Sequence, residues 1–410
     1  MLTFPSIAEQ LIEERVKNLL GLKKEDPLSA REFKKLALKV KELSDYFTKR
    51  QDARPDDYLR DSLLMAAYMA YFVPANLLKI EIPLVELFLH PRLKARTEEI
   101  SLLDLGSGPG TASAGFINFF FQHLAVKGEI KGVSIKVADR VKENLHEAQV
   151  FLKELWRRYE SFYSEEGHFN FSLTAVKVDL HQMAPDSPGM RKYDLVVMSN
   201  SLVETGEGDG RIDCRMTMIE NIAERYLKKE GALLIIEPAL RDASRDLLRM
   251  RDEIIKKGEL TLYSPCLDSG PCLALENKKD WCHEVYGWQP PKIVEEIDKR
   301  TAFEKSSLKF SCLVIRKDGL SLRDLFRDGK DETFRVVSDL LVMKGEKRVF
   351  LCGHRGRIQL GRLNRDKSEK NGHFDDLRRG DIVQIKGVYA KGSLLRIGRE
   401  SCFKILSFKD

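Results

Sequence analysis

Hydrophobic and polar positions follow one repeated pattern through the middle of the chain. From about residue 98, short runs of aliphatic and β-branched residues alternate with amphipathic helical segments. This alternation predicts a parallel β-sheet that carries helices on both faces. One of these helices, RMTMIENIAERYLKKEG, is expected to end at Gly231, because glycine favours the position that follows a helix. The runs predicted as strands are ISLLDLG, VSIKVAD, FSLTAVKVD, DLVVMSN, ALLIIEP, LTLYSP and LKFSCLVIRK.

The two ends of the chain show other patterns. FKKLALKVKELSDYF and SLLMAAYMAYFV have apolar residues at helical spacing, and Pro74 is expected to break or kink the second helix. From about residue 332, short β-rich runs between turn signals suggest a small barrel or sandwich, compatible with an OB-like barrel. We therefore expect an α/β protein with three parts. These are a helical domain over 1–97, a Rossmann-like domain over 98–320 with a cysteine-rich insertion at 264–288, and a basic β-barrel domain over 332–410.

Composition and charge narrow the function only slightly. The chain has 410 residues, with 69 Lys and Arg against 63 Asp and Glu, which gives a net charge of +6. This mild excess permits an RNA partner without requiring one. No apolar run is expected to span a bilayer, and the N-terminal stretch resembles neither a secretory signal nor an acid-poor transit peptide. We expect a cytoplasmic monomer that does not contact a membrane.

The stretch LLDLGSGPGT, residues 102–111, carries the clearest chemical signal. Glycines fall at Gly106, Gly108 and Gly110, between a predicted strand and a predicted helix. Glycine removes the Cβ where a turn is tight or where the backbone must approach a ligand. Preceded by a strand that ends in Asp-Leu, the run resembles the first motif of class I S-adenosylmethionine-dependent methyltransferases. The alternative is an ordinary turn between a strand and a helix.

Polar residues end the other predicted strands, and in such sheets these ends line one crevice. Asp104 is expected to orient the glycine loop or to receive the ammonium group of the ligand. Asp139 ends the second strand, where a carboxylate can accept both ribose hydroxyls. Asp179 is placed to accept a hydrogen bond from the adenine amino group while Leu180 flanks the ring. Together with the glycines, these residues predict a binding site for S-adenosylmethionine.

Asn200 and Ser201 follow the fourth predicted strand, where a methyl acceptor would approach, and they are the candidates for a catalytic role. Asn200 is also counted among the residues that contact the cofactor. Methyltransferases that act on exocyclic base nitrogens often carry Asn/Asp-Pro-Pro-aromatic here, but this chain has Ser-Asn-Ser-Leu. A protein that binds the cofactor without strong catalysis therefore stays an open alternative.

Three of the seven cysteines lie close together in the sequence. Cys266, Cys272 and Cys282 follow a C-x5-C-x9-C spacing, which matches neither a zinc ribbon nor the compact ferredoxin run. Three thiolates need a fourth ligand to complete a metal site. Cys352 is favoured because it precedes a turn-like Gly-His-Arg-Gly, and it would fix the tail domain to the sheet. The other possible ligands are Cys312, Cys402, His283 and His354.

Several segments together resemble a known family, the methyltransferase-like proteins related to a mitochondrial small-ribosomal-subunit protein. The resemblance rests on YLRDSLLMAAYMAYFVPAN, DLGSGPGTA, LLIIEPALRDASRDLL, SPCLDSGPCLAL with DWCH, and KRVFLCGHRGRIQ. It implies that four cysteines hold a [4Fe–4S] cluster, and it implies a role in assembly or methylation of the small ribosomal subunit. In this chain the cluster would fall on Cys266, Cys272, Cys282 and Cys352. A presequence is not apparent, so the chain is similar to the prokaryotic branch.

These observations support one leading hypothesis and two rivals. The leading hypothesis is a protein that binds S-adenosylmethionine and a [4Fe–4S] cluster and methylates small-subunit ribosomal RNA or escorts its assembly. The first rival is an assembly factor without catalysis, and the second is a small-molecule methyltransferase with structural zinc. The expected RNA contacts are basic residues of the tail, namely Lys347, Arg348, Arg355, Arg357, Arg362, Arg365, Arg378 and Arg379.

Overall fold

A computed structural model of the protein describes residues 2–48, 55, 57–88, 98–127, 130–180, 191–206, 208–326, 332–392 and 394–406. The α-helices are α1 Ser6–Leu19, α2 Ala30–Thr48, α3 Ser62–Ala67, α4 Val73–Leu77, α5 Glu81–Phe88, α6 Thr111–Phe119, α7 Lys142–Phe162, α8 Arg211–Tyr226, α9 Arg241–Lys257 and α10 Lys292–Thr301. The strands that form the larger sheet are β1 Leu2–Thr3, β2 Glu99–Leu105, β3 Gly132–Asp139, β4 Asn170–Lys177, β5 Tyr193–Ser199, β6 Leu227–Pro238, β7 Thr261–Ser264, β8 Glu284–Gln289 and β9 Ser307–Arg316.

The larger sheet has the order β1-β8-β9-β6-β5-β2-β3-β4, and β7 also pairs with β9. Strands β2 to β6 pair in parallel, whereas β9 runs antiparallel to β6. The chain builds β3 and β4 on one side of β2 and then β5 and β6 on the other. This reversal leaves a crevice at the carboxyl ends of β2 and β5, where ligands bind in doubly wound sheets. The predicted α/β, Rossmann-like sheet is confirmed.

The predicted end of one helix is wrong. Helix α8 ends at Tyr226, and β6 begins at the next residue, so Gly231 lies inside a strand and caps no helix. A Cβ at Gly231 would lie 2.9 Å from the carbonyl oxygen of Tyr193, and the pairing of β5 with β6 shifts register beside it. Glycine is therefore placed here by the close approach of the neighbouring strand.

Helices α1 to α5 pack into the same hydrophobic core as one face of the larger sheet. Asp61 begins α3, and its carboxylate accepts the N–H groups of Leu63 and Leu64 at 2.8 and 3.1 Å. Pro74 does not break the second predicted helix, because a wider π-helical turn over Tyr68–Phe72 carries the chain past it. The helical run therefore reaches the sheet intact.

This run, Ser62–Phe88, is long and apolar enough to meet the length and composition of a membrane span, so the expectation that no such run exists is wrong. However, 78% of its most apolar window is buried inside the fold, which is the condition of a core helix. The close fit is visible at Gly115 in α6, where a Cβ would lie 2.2 Å from the carbonyl oxygen of Leu77.

The C-terminal residues form a second sheet with its own core, built around Phe334, Leu351, Phe374 and Val383. Its order is β15-β16-β13-β12-β10-β14-β17, with β11 paired to β12. Among the described residues no pairing joins β15 to β17, so the sheet is open and the predicted OB-like barrel is not confirmed. The strands are β10 Glu332–Val336, β11 Leu341–Met343, β12 Glu346–Gly353, β13 Gly356–Leu363, β14 Ile382–Lys386, β15 Tyr389–Lys391, β16 Leu394–Ile397 and β17 Cys402–Ile405.

Candidate functional site

The loop between β2 and α6 turns the chain sharply at the edge of the crevice. Gly106, Gly108 and Gly110 have positive φ angles of 71°, 52° and 85°. The N–H groups of Gly106 and Ser107 both donate to the carbonyl oxygen of Ala138 in β3, at 2.8 and 3.0 Å. A Cβ at Gly108 would meet no atom within 4 Å, so this part of the loop faces open space. The loop thus leaves room for a ligand beside the N-terminus of α6.

Asp104 holds the start of α6, the helix that follows this turn. It is buried, and its Oδ2 accepts the N–H of Ser113 at 3.2 Å and the Ser113 hydroxyl at 2.7 Å. Its Oδ1 has no hydrogen-bond partner among the described residues. Burial raises the pKa of Asp104 to about 6, and the charge of Asp139 adds to this rise, whereas the two bonds from Ser113 lower it. Asp104 therefore fixes the first turn of α6 and has one buried oxygen without a partner among the described residues.

Asp139, at the end of β3, holds the glycine loop as well. Its Oδ2 accepts the N–H of Gly108 at 2.9 Å, and its Oδ1 accepts from the N–H of Val141 at 2.8 Å and from Asn144 Nδ2 at 3.1 Å. From the sequence, this carboxylate is predicted to accept the ribose hydroxyls of the cofactor. In the structure its protein contacts tie β3 to the loop, and the ribose role stays a prediction.

Residues that follow β4 and β5 close around Gly106. A Cβ at Gly106 would lie 2.5 Å from Ser201 Cβ and 3.5 Å from Leu180 Cδ1. The Ser201 hydroxyl donates to the carbonyl oxygen of Leu105 at 3.1 Å, which fixes this contact. Asp179 lies two residues beyond the end of β4, and the preceding residue Val178 donates its N–H to the carbonyl of Asp139. The predicted binding residues thus surround one loop, although their contacts with a cofactor stay predictions.

Asn200 adopts a left-handed backbone conformation in the turn after β5. Its φ angle is +56°, which asparagine tolerates better than most residues other than glycine. Its N–H donates to the carbonyl oxygen of Ile236 in β6 at 2.8 Å, so the turn after β5 is attached to the end of β6.

Two buried charged residues at this place, Lys79 and Glu237, were not predicted. Glu237 is the last residue but one of ALLIIEP, and its position near a strand end was the signal available. Lys79 is a single lysine in an apolar stretch between α4 and α5. Its burial could not be read from local spacing, because it depends on how the N-terminal helices pack on the sheet.

The cysteine-rich loop connects β7 to β8, two strands that lie one after the other along β9. Two arginines of α9 hold it. Arg245 donates to the carbonyl oxygens of Ala274, Leu275, Asn277 and Asp280 at 2.7 to 3.2 Å. Arg251 donates to the carbonyl oxygens of Asp268, at 2.5 Å, and Gly270. The arginines were not predicted, since their partners are backbone carbonyls that leave no sequence pattern.

The four predicted cysteine ligands come together from the loop and from β12. None of them is in a disulfide. Burial raises the pKa of Cys282 above its usual range, and the thiols of Cys266, Cys352 and Cys272 raise it further. Burial likewise raises the pKa of Cys352 to about 12, with added effects of Cys266 and Cys272. The thiols are therefore near enough to act on one another electrostatically.

Within the ranges described above, no group of three or more His, Cys, Asp or Glu is arranged to hold a metal ion. Of the other proposed ligands, Cys312 is buried in β9, where Cys282 contributes to the rise of its pKa after burial and the nearby glutamates, and Cys402 is exposed in β17. His283 is next to Cys282, and its backbone carbonyl accepts from Arg379 at 3.3 Å. The grouping of Cys266, Cys272, Cys282 and Cys352 is therefore the observation on which a cluster proposal can rest.

The basic residues of the tail are largely neutralised. Asp375 pairs with Lys347 at 2.8 Å and with Arg362 at 2.5 Å. Arg365 and Arg378 are exposed, and no ion pair of theirs is found within the described ranges. Of the predicted RNA-binding residues, Arg365 and Arg378 therefore remain the best candidates for contacts with phosphates. Other basic residues of the predicted surface have acidic partners, namely Arg348 with Glu346, Arg355 with Glu332, Arg357 with Asp280, and Arg379 with Asp339.

The fold and the glycine loop define a Rossmann-like α/β protein with a nucleotide-type crevice. Residues 65–382 match the family described as mitochondrial small ribosomal subunit Rsm22. The match covers more than half of the chain, so the protein belongs to this family. This confirms the resemblance seen in the sequence. No match was found among curated proteins.

Solved structures of similar fold include S-adenosylmethionine-dependent methyltransferases. A putative class I enzyme from Listeria monocytogenes is 16% identical, with 76% of this chain and 88% of that chain covered and a TM-score of 0.36. NSun6 from Pyrococcus horikoshii, solved with SFG, is 13% identical, with coverages of 60% and 53% and a TM-score of 0.34. A methyltransferase from Thiobacillus denitrificans, in complex with S-adenosyl-L-homocysteine, is 11% identical, with coverages of 58% and 91% and a TM-score of 0.31.

Proposed function

We propose that this protein binds S-adenosylmethionine in the crevice beside the glycine loop and methylates RNA of the small ribosomal subunit. The observation that carries the proposal is the loop itself. It combines three glycines of positive φ, a buried Asp104 with one free oxygen, and Asp139 bonded to Gly108, in a chain of the Rsm22 family. We further propose that the protein acts as a cytoplasmic monomer.

Methyl transfer from a sulfonium makes few chemical demands on the protein. The donor is already activated, so the residues mainly align the acceptor with the methyl group and exclude water. In this site the N–H groups of Gly106, Ser107, Gly108 and Gly110 hold the shape of the loop, and Oδ1 of Asp104, which has no partner among the described residues, would bind a polar end of the donor. Leu180 beside Gly106 would cover the adenine ring. Asn200 and Ser201 would border the side from which the acceptor enters.

We also propose that Cys266, Cys272, Cys282 and Cys352 hold a [4Fe–4S] cluster. What supports the proposal is the chemistry of the donors: the four thiols are free, they affect one another electrostatically, and Arg251 lies against Cys266. When bound, the cluster would link the loop between β7 and β8 to β12. Asp252 holds the backbone at Cys272, because the Cys272 N–H donates to both of its carboxylate oxygens at 3.2 and 3.1 Å.

An assembly factor without catalysis is the second candidate. It is favoured by the turn after β5, which carries Ser-Asn-Ser-Leu where many base-nitrogen methyltransferases carry a Pro-Pro pair. In that case the crevice would bind the cofactor only to shape a surface for ribosomal RNA.

One experiment separates the two candidates. Full-length protein is purified without oxygen, and its binding of S-adenosylmethionine is measured by calorimetry. It is then incubated with tritiated S-adenosylmethionine and small subunits from cells that lack the protein. Transfer of label to the RNA, abolished by Gly106→Arg, supports the methyltransferase. Cofactor binding without label in any assembly state supports the assembly factor, and absence of cofactor binding overturns both.

The metal proposal has its own measurement. The same preparation is analysed for iron, sulfide and zinc, and its absorbance spectrum is recorded with the Cys352→Ser variant as comparison. A broad band near ~400 nm, with iron and sulfide, that is weakened in the variant supports the cluster. One zinc per chain and no colour would favour the structural-zinc rival.

A further inference from the structure

Two buried charged side chains from distant parts of the chain meet beside the crevice. Glu237 lies at the carboxyl end of β6 and is only 2% exposed. Lys79 comes from the N-terminal helices, between α4 and α5, and is 7% exposed. Charged side chains are almost never this buried without a full set of partners. The burial of Glu237 and Lys79 is therefore unusual and suggests that they have a function.

Glu237 uses only one of its two carboxylate oxygens in the fold. Its Oε1 accepts the N–H groups of Leu202 and Val203, at 2.9 and 3.2 Å. These bonds hold the segment that follows Asn200 and Ser201. Its Oε2 is buried and has no hydrogen-bond partner among the described residues. Leaving a carboxylate oxygen unpaired inside a protein is costly, and a ligand donor would relieve the cost.

Lys79 is likewise only partly satisfied. Its Nζ donates to Asn76 Oδ1 at 2.7 Å, which uses one of its three protons. Burial lowers the pKa of Lys79 to about 7, the charge of Lys305 lowers it as well, and the charge of Glu237 opposes them. Lys79 and Glu237 are thus close enough to affect each other, yet no ion pair between them is found in the described part of the chain.

Glu237 and Lys79 lie beside the turn that contacts the glycine loop, and this position suggests a role in ligand binding. The carbonyl of Ile236, next to Glu237, accepts the N–H of Asn200, and Ser201 contacts the position of the Gly106 Cβ. Glu237 is therefore connected to the glycine loop through the turn after β5, on the side of β5 and β6. This is the side on which we place the methyl acceptor.

We propose that Glu237 and Lys79 form the subsite for the methyl acceptor, and that the acceptor is a nucleobase nitrogen that carries a proton. The inference rests on the proposed methyl-donor site. A base edge presents hydrogen-bond donors beside acceptors. The free oxygen of Glu237 matches an N–H, and the remaining protons of Lys79 match a neighbouring ring nitrogen or carbonyl oxygen. A phosphate or carboxylate acceptor offers no N–H for the free oxygen of Glu237 to accept.

The arrangement also accounts for the proton that methylation releases. The lone pair of the acceptor nitrogen forms the new bond to the methyl carbon, while the electron pair of the carbon–sulfur bond stays on sulfur. The N–H proton passes to Oε2 of Glu237, and the products are the methylated base and S-adenosylhomocysteine. Burial raises the pKa of Glu237 to about 8, bonds from Val203 and Leu202 lower it, Glu204 raises it and Arg215 lowers it. A carboxylate of this basicity is suited to accept the proton.

The test compares Glu237→Gln with wild type in full-length protein. Glutamine keeps an oxygen for the N–H groups of Leu202 and Val203 but cannot take up a proton. We expect unchanged affinity for S-adenosylmethionine and a fall in kcat of about 100-fold or more on small-subunit RNA. The matched control is Glu81→Gln, a buried carboxylate bonded to Asn118 at 2.6 Å in the second half of α6, which should leave kcat unchanged. An equal loss of S-adenosylmethionine binding, or an unchanged kcat, overturns the proposal.

A binding experiment keeps the subsite testable if the wild type transfers no methyl group. Fluorescent single-stranded RNA is titrated with protein saturated with S-adenosylhomocysteine, and the same strand with abasic sites serves as reference. We expect wild type to favour the intact strand by about 10-fold, since hydrogen bonds to charged groups contribute this much. Glu237→Gln and Lys79→Met should each reduce that ratio to near one. A ratio that both variants preserve would refute the subsite, whereas absent methyl transfer alone would refute only the proposed catalysis.

Discussion

Arg335 in β10 donates from its Nη1 to Oε1 of Glu86 in α5 at 2.8 Å, and both side chains are buried. Glu284 in β8 lies 3.8 Å from the same nitrogen, and the carbonyl oxygen of Gly380 accepts from it at 3.2 Å. One guanidinium thus joins the N-terminal helices, the larger sheet and the C-terminal sheet. The carboxylates of Glu86 and Glu284 raise the pKa of Arg335 against the effect of its burial.

Removing this arginine should destabilise the whole chain. Arg335→Met leaves two buried carboxylates without their cation, and breaking such a pair costs about 3–5 kcal/mol. The measurement is urea unfolding, followed by circular dichroism and tryptophan fluorescence. The double variant Arg335→Met with Glu86→Gln should recover part of the loss. Lys370→Met, in the exposed pair with Glu400, should leave the midpoint unchanged. Equal effects of the buried and exposed substitutions would contradict this prediction.

Comparing alanine substitutions at Gly106 and Gly21 should distinguish the effect of a steric clash in the loop from the effect of backbone strain alone. Gly106→Ala puts a Cβ 2.5 Å from Ser201 Cβ at a φ of +71°, so the turn after β5 must move. We expect loss of stability of about 1–3 kcal/mol and at least a tenfold loss of S-adenosylmethionine affinity by calorimetry. Gly21→Ala is the matched control, because Gly21 has a φ of +73° with open space around it. It should show the strain without the loss of affinity. Normal affinity in Gly106→Ala would mean that the contact with Ser201 is unimportant for binding.

The arginines of α9 should control the order of the cysteine-rich loop. Arg245→Met removes donors to four backbone carbonyls, which stay buried and lose their partners. We expect faster reaction of the apoprotein thiols with a disulfide reagent and a lower iron content after anaerobic purification. Arg249→Met is the control, because Arg249 lies on the same helix, is about half exposed and, within the described part of the chain, has Asp246 as its ion-pair partner. If both variants react alike, the loop does not depend on Arg245.

Local features of the fold could be predicted from the sequence, because strands and the glycine loop are encoded by neighbouring residues. The runs from ISLLDLG to LKFSCLVIRK all became strands, and the three glycines lie at the turn where they were placed. Features that depend on distant segments could not be predicted. Strand β1 pairs with β8, nearly 290 residues away. Because β1 has only two residues, it is too short to show the alternation of apolar and polar residues that predicts a strand.

The candidate site divides in the same way. Asp104 and Asp139 were found because each ends a strand, yet their observed protein partners are Ser113 and Gly108. Lys79 was missed because its environment is created by packing of α4 and α5 on the sheet. The number of basic residues in the C-terminal sheet that are available to RNA was overestimated. The sequence shows where arginines lie but not which of them have acidic partners in the fold.

The free energy of unfolding should depend on pH because burial raises the pKa of Asp104. Its folded pKa of about 6 lies above the usual value of 3.8, so the folded state holds its proton more tightly than the unfolded state. This group therefore stabilises the fold fully below pH ~4, and the contribution is lost as pH rises through 6. Asp104→Asn should gain stability relative to wild type between pH 4 and 7.5, by on the order of 3 kcal/mol. The check is unfolding at both pH values, with exposed Asp26→Asn as control. A pH-independent difference would place the carboxylate in a more polar setting.

The exposed arginines of the tail should set the salt dependence of RNA binding. Arg365 and Arg378 are exposed and have no ion pair among the described residues, whereas Arg362 is already bound to Asp375. Each phosphate contact with single-stranded RNA contributes a slope of about −0.7 to log K against log salt. The double variant Arg365→Ala with Arg378→Ala should bind more weakly and flatten the slope by about 1.4. Arg157→Ala, exposed on α7 and paired with Glu154, should change neither quantity. A slope that the double variant preserves would place the RNA on another surface, because counterion release follows the phosphates that the protein contacts.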